Sequence, residues 1–209
     1  MIAPRYSFLD QLLIAADQAL RTLSGSALPI RASPGRGEPE GGEPAISTGL
    51  MRVNHSGEIC AQALYSGQAL FARDPQIRRA LHEAAAEERD HLAWCRGRLH
   101  DLGAAPSILD PLWYAGSFAL GMVSGLAGDR WSMGFLAETE AQVERHLEGH
   151  LSRLPVDDLR SRAIVRQMRA DEARHGSIGR SLGAADLPLP VRAAMGIASK
   201  VMTGTAYYV

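Results

Sequence analysis

Two short stretches of this chain place a glutamate and a histidine three residues apart: "EERDH" (87–91), with Glu88 and His91, and "DEARH" (171–175), with Glu172 and His175. The first pair lies on a helical stripe through Ile77, Leu81, Ala84, Glu88, His91, Cys95, Leu99 and Leu102. The second lies on one through Val165, Met168, Glu172, His175, Gly179 and Leu182. Residues three apart share a helical face, so each pair offers a carboxylate oxygen and an imidazole nitrogen side by side. Their neighbours on the stripe are apolar, and burying ionisable groups there is costly unless something pairs them. A divalent metal does so, and donors of oxygen and imidazole nitrogen without thiolate suit iron or manganese rather than structural zinc.

Two pairs imply two metals, and bridging them takes further carboxylates. Glu58 lies on a face with Met51, Ala61 and Tyr65, and Glu140 on one with Leu136, Val143 and Leu147. Glu58 precedes Glu88 by 30 residues and Glu140 precedes Glu172 by 32, so the chain twice sets a Glu helix before a Glu-x-x-His helix. This is the ligand set of ferritin-like di-iron and di-manganese bundles. Four carboxylates balance two divalent cations with the imidazoles neutral; without metal, their repulsion predicts raised pKa values and a loosened bundle. Glu144 shares nearly the same face as Glu140, and periodicity alone does not choose between them. His55, His82, His100, His146 and His150 read as surface or supporting groups. Asp90 and Asp171 adjoin the pairs, where each either orients an imidazole on a facing helix or is solvated. A solvated ion-paired face is the ordinary meaning of one Glu-x-x-His; the apolar stripes argue against it here.

The elements that must position these groups are helices. Four long helical patterns fall at roughly 48–73, 75–103, 130–153 and 156–183, divided by "RDP", "GAAP" and Pro155, with no useful strand alternation. The expected class is all-α: a four-helix bundle with additional short apolar helices. Before it, residues 1–25 hold an amphipathic helix that Ser7 can cap, and the Pro- and Gly-rich residues 26–47 read as a flexible linker, leaving 48–209 as the main domain. Residues 112–128 carry no charged side chain. That stretch is at the short limit for a span and contains several glycines, so a membrane-surface segment, a buried or partner-covered helix and a true span compete. The C-terminal "VRAAMGIASKVMTGTAYYV" either joins that surface or covers the core.

With a net charge of -1, nothing supports broad electrostatic binding to nucleic acid. Cys60 and Cys95 form no CxxC pair, which fits a reducing compartment, and "MIAPRYSFLDQLL" lacks the layout of a secretory signal. The protein is expected to be intracellular.

The stretches "RVNHSGEICAQALYSGQ" (52–68), "EERDHLAW" (87–94), "PLWYAGSFALG" (111–121), "ETEAQVERH" (138–146) and "DEARHGSIG" (171–179) resemble the demethoxyubiquinone hydroxylase family, ferritin-like di-iron enzymes of ubiquinone biosynthesis. The resemblance implies metal ligands at Glu58, Glu88, His91, Glu140, Glu172 and His175, favouring Glu140 over Glu144. It places Glu88, Glu140 and Glu172 in contact with both metals. Tyr65 and His146 match family residues beside the site, with supporting or substrate-side roles. The implied activity is O2-dependent hydroxylation of 2-polyprenyl-3-methyl-6-methoxy-1,4-benzoquinol at ring carbon 5, with two iron ions per chain and an external electron donor. A substrate dissolved in the bilayer implies a peripheral protein on the cytoplasmic face of an inner membrane, beside other ubiquinone-synthesis proteins. An iron-oxidising or storage protein of the ferritin type, or a di-iron hydroxylase of another substrate, are the competing readings. Residues 1–48 lie largely outside the resemblance.

Overall fold

In a computed structural model, which describes residues 7–26 and 28–209, the long helices begin where proline or a polar cap permits. Pro44 and Pro75 stand in the first turns of α2 (Pro44–Phe71) and α3 (Pro75–Asp101), where a missing N–H costs nothing. Asp74 accepts from the Gln76 amide ahead of α3, and Asp158 accepts from the Ser161 amide ahead of α6 (Leu159–Ser181). The other described elements are α1 (Phe8–Ser24), α4 (Asp110–Leu126), α5 (Asp129–Arg153) and α7 (Leu189–Ala206), and no strand occurs among the described residues. The expected all-α class therefore holds. Expected boundaries shift by a few residues: 44–47, read as the end of the linker, form the first turn of α2.

Helices α2, α3, α5 and α6 make the bundle, and two apolar clusters show how they run. One cluster joins Leu50 and Met51 to Trp94, Cys95, Leu99, Leu147, Ile164, Val165 and Met168. The other joins Leu64 and Tyr65 to Ile77, Leu81, Met133 and Leu136. In chain order α2 and α6 leave the first cluster, whereas α3 and α5 run towards it. Successive helices α3 and α5 are thus parallel, which requires a long crossover, the connection found in ferritin-like bundles. Helix α4 is that crossover.

Helix α4 lies along α2 at very short range. A Cβ on Gly121 would stand 2.2 Å from the Leu64 carbonyl oxygen, and one on Gly67 would stand 2.4 Å from that of Phe118. The glycines that interrupt the apolar run are therefore contact points. Tyr114, Gly121, Ser124 and Gly125 are buried, while Leu112, Leu120, Val123 and Leu126 on the other face are exposed. None of the described helices is long and apolar enough to cross a membrane. Helix α7 is held at its far end, where Ala206 is buried, Tyr207 packs on Gly49 and Arg52 donates to the Tyr207 carbonyl at 3.0 Å. Its residues Leu189, Ile197 and Val201 are exposed.

Helix α1 packs on α2, with the Thr22 hydroxyl bonded to Gln62 at 2.5 Å and Ala19 and Leu23 against Ile59, Ala63 and Leu92. Residues 28–43, in a stretch whose composition suggests flexibility, contain no helix and cross α3 and α6. Arg31 pairs with Asp90 and Asp171, the Glu38 carbonyl accepts from Arg160 at 2.7 Å, and Glu40 accepts from Arg98 at 2.9 Å.

The α2–α4 approach makes Gly121→Ala informative, because the clash is with backbone and only a shift of α4 relieves it. The expected loss is about 1–3 kcal/mol in urea unfolding; unchanged stability would contradict the close crossing.

Candidate metal centre

The belt between the two apolar clusters is ionisable. At that level α2 supplies Glu58, α3 supplies Glu88 and His91, α5 supplies Glu140, and α6 supplies Glu172 and His175, all buried. Their ligand atoms fall into two groups, each within 4.8 Å: Glu58, Glu88, His91 and Glu172, and then Glu88, Glu140, Glu172 and His175. The structure thus brings together all six residues singled out in the sequence. Glu88 and Glu172 belong to both groups. Glu140, expected to reach both metals, belongs to the second group alone, and one of its oxygens accepts from the Tyr65 hydroxyl. Glu144 is exposed.

Both imidazoles turn Nδ1 inward. His91 Nδ1 lies 2.8 Å from Glu88, 3.3 Å from Glu172 and 3.5 Å from Glu58, while His175 Nδ1 lies 3.3 Å from Glu88 and 3.5 Å from Glu172. Glu58 Oε2, Glu88 Oε1 and His175 Nδ1 are buried without a hydrogen-bond partner despite these short separations. Buried polar atoms ordinarily find partners, so inward-facing lone pairs left over in a carboxylate and imidazole set fit a pair of divalent metal ions. Each Nε2 meets an outer carboxylate: Asp171 at 2.9 Å for His91, Glu87 at 3.2 Å for His175. Such a bond fixes the tautomer and leaves Nδ1 free to coordinate.

Burial and pairing shift the groups of the belt in opposite directions. Burial, reinforced by the charge of Glu88, pushes the Glu58 carboxyl well up, and burial beside Glu172 does the same to Glu140. Burial opposes charge on Glu88 and Glu172 too, but the surrounding histidines outweigh it and hold both below the usual range. Burial likewise opposes imidazolium, yet the carboxylates raise His91 well up and His175 to about 11. The expected rise therefore occurs at two carboxylates only. The physical reason is that the imidazoles, neutral once a metal is bound, become cations without one and stabilise Glu88 and Glu172.

Of the other candidates, Asp171 does orient His91. Burial opposes its charge, but His91 and Arg31 hold it well below the usual carboxylate range. Asp90 holds Arg31, at 2.7 Å. His146 packs against His150, their ring centroids 4.0 Å apart, and His150 bonds Asn54 at 2.7 Å, with burial and His146 pushing it down to about 2. His55 is buried, 3.0 Å from Asp110, while His100 is exposed. Sequence reasoning missed Glu87, the neighbour of Glu88 but on the outward side of the helix, and Arg31 and Arg174, which hold the outer carboxylates. Only the acidity of "EERDH" hinted at the first.

Known proteins resemble this chain at two levels. The family model described as Ubiquinone biosynthesis protein COQ7 matches residues 45–206. A 3-demethoxyubiquinol 3-hydroxylase of Dechloromonas aromatica (strain RCB) is 57% identical over 202 residues, covering 95% of this chain and 98% of that protein. One of Chromobacterium violaceum is 56% identical over 205 residues, covering 96% and 100%. Among solved structures, the bacterioferritin-related protein from Bacteroides fragilis, a dodecameric thioferritin, matches with a TM-score of 0.57 and 16% identity over 75% of this chain and 91% of that one. At that identity it speaks for the ferritin-like fold alone.

Glu58, Glu140, His91 and His175 are all shifted towards their protonated forms when no metal is bound, so divalent ions entering the belt displace protons. The sign follows: a group that holds a proton must lose it to coordinate, so affinity falls as pH falls. Fe2+ or Co2+ added anaerobically to weakly buffered protein with a pH indicator reads both effects, and binding without proton release would contradict the charge assignment.

Proposed function

The chain belongs to the Ubiquinone biosynthesis protein COQ7 family, and from that premise we propose that it is a 3-demethoxyubiquinol 3-hydroxylase with a dinuclear iron centre. Position 3 in that name is the carbon numbered 5 in 2-polyprenyl-3-methyl-6-methoxy-1,4-benzoquinol, the one ring position still carrying hydrogen. The observation that carries the iron reading is the pair of overlapping ligand groups that share Glu88 and Glu172.

Glu58, Glu88, His91, Glu140, Glu172 and His175 would hold two iron ions, which when reduced by an external donor supply the activation of O2 that hydroxylation of an electron-rich ring requires. The protein supplies the setting. Apolar clusters above and below the belt exclude water. Tyr65 donates to Glu140 and restrains the one carboxylate that the second group does not share. Asp171 and Glu87 keep the histidine protons on Nε2, away from the metals.

The substrate class supports a peripheral membrane location, at the cytoplasmic face of an inner membrane. A polyprenyl quinol resides in the bilayer, so its hydroxylase must meet it there. Leu112, Leu120, Val123 and Leu126 form an exposed apolar row on a helix free of charge from 112 to 126, and Leu189, Ile197 and Val201 on α7 are exposed as well. Both helices pack on α2, which also carries Glu58. An amphipathic surface of this kind lies in the interface.

Lipid extracted from a strain lacking this protein should accumulate the demethoxy quinol precursor. The wild-type gene should restore the product, and Glu172→Ala should not, its loss exceeding the about 10- to 100-fold cost of removing an outer support. Absence of the precursor would exclude the activity. For the membrane surface, L120D combined with V123D should abolish co-sedimentation with vesicles of anionic phospholipid while leaving iron content unchanged; binding that survives would exclude α4 as the docking face.

A further inference from the structure

Residues 26–43 supply none of the six ligand groups, yet one of their side chains reaches the back of the centre. Arg31 Nη1 donates to Asp171 Oδ2 at 2.9 Å, and the same oxygen holds His91 Nε2 at 2.9 Å. Arg31 Nε donates to Asp90 Oδ2 at 2.7 Å, so the guanidinium joins α3 to α6 directly behind His91. Its backbone is fixed as well, because the Ile30 amide donates to Asp90 Oδ1 at 2.6 Å and Trp94 Nε1 donates to the Arg31 carbonyl at 3.1 Å. The guanidinium carbon lies 4.9 Å from the centre of the Trp94 ring, which stands 5.4 Å from that of His91.

Resting on the dinuclear reading above, we propose that Arg31 is a positioning residue for the half of the metal centre that contains His91, acting through Asp171. The planar fork suits this task, since one cation grips carboxylates on two helices in fixed directions. Removing it frees one side of Asp171. Arg174 and Gln167 bond the other oxygen, at 2.8 and 3.1 Å, and would draw the carboxylate away from His91. The His175 half has no such link: Glu87 is held by Arg174, is one-third exposed, and makes no bond to residues 26–43 among those described. The two halves, alike in ligand type, differ in what braces them, and the brace on one comes from outside the bundle.

The test is titration of the full-length metal-free protein with Co2+, followed by visible absorption and calorimetry. Wild-type protein binds two Co2+ per chain; failure to do so would overturn the dinuclear reading itself. Arg31→Gln should weaken one of the two by about tenfold and leave the other unchanged. Arg31→Lys should recover part of the loss, since an ammonium balances charge but does not span both carboxylates. Glu40→Gln loosens the same segment at Arg98 and Arg160 and should leave both affinities unchanged. Double variants assign the effect: R31Q should still cost about tenfold beside His175→Ala and nothing further beside His91→Ala. Two wild-type affinities in R31Q, or equal weakening of both by R31Q and E40Q, would overturn the proposal.

Discussion

Six buried ionisable side chains crossing one level of a helical bundle set the terms for everything else in this molecule. Charge inside an apolar interior is tolerated only when it is matched closely, and here the matching is done by carboxylates and imidazoles contributed from four separate helices. The two apolar clusters stand on either side of that level, so the hydrophobic contribution to stability and the chemistry are stacked along the bundle rather than mixed. The parallel pair α3 and α5 follows from the same need, because the repeat of a Glu helix and a Glu-x-x-His helix closes around one centre only if the halves are joined by a crossover.

The crossover has a second use. Helix α4 sits so close to α2 that glycine is required at the contact, and its outer face is left with exposed leucines and valine. One short helix therefore connects the halves, covers the helix that carries Glu58 and presents an exposed apolar surface. Read in the sequence alone, its glycines interrupt an apolar run and leave a surface segment, a covered helix and a span in competition; in the structure they let backbone meet backbone.

The six clustered residues were legible because helical periodicity puts each on an otherwise apolar stripe, and a charge there has few meanings. The choice of Glu140 over Glu144 was not legible from periodicity, since the two lie one turn apart; in the structure one is buried among carboxylates and the other faces solvent. The fold class and the four long helices followed from the same periodicity, with ends displaced where capping rather than pattern decides. What remained hidden was tertiary. Glu87 supports His175 from the outward side of its helix, and Arg31 sits in a stretch whose proline and glycine content suggests mobility. The acidity beside each Glu-x-x-His pair pointed to Asp171, but no local pattern announced Arg31 or the role of Glu87.

Arg31 meets its two carboxylates 59 and 140 positions further along the chain. During synthesis it emerges early, long before α6 exists, and it has no complete seat until both helices stand side by side. Its bridge is thus a latch that only a correctly assembled interior can receive.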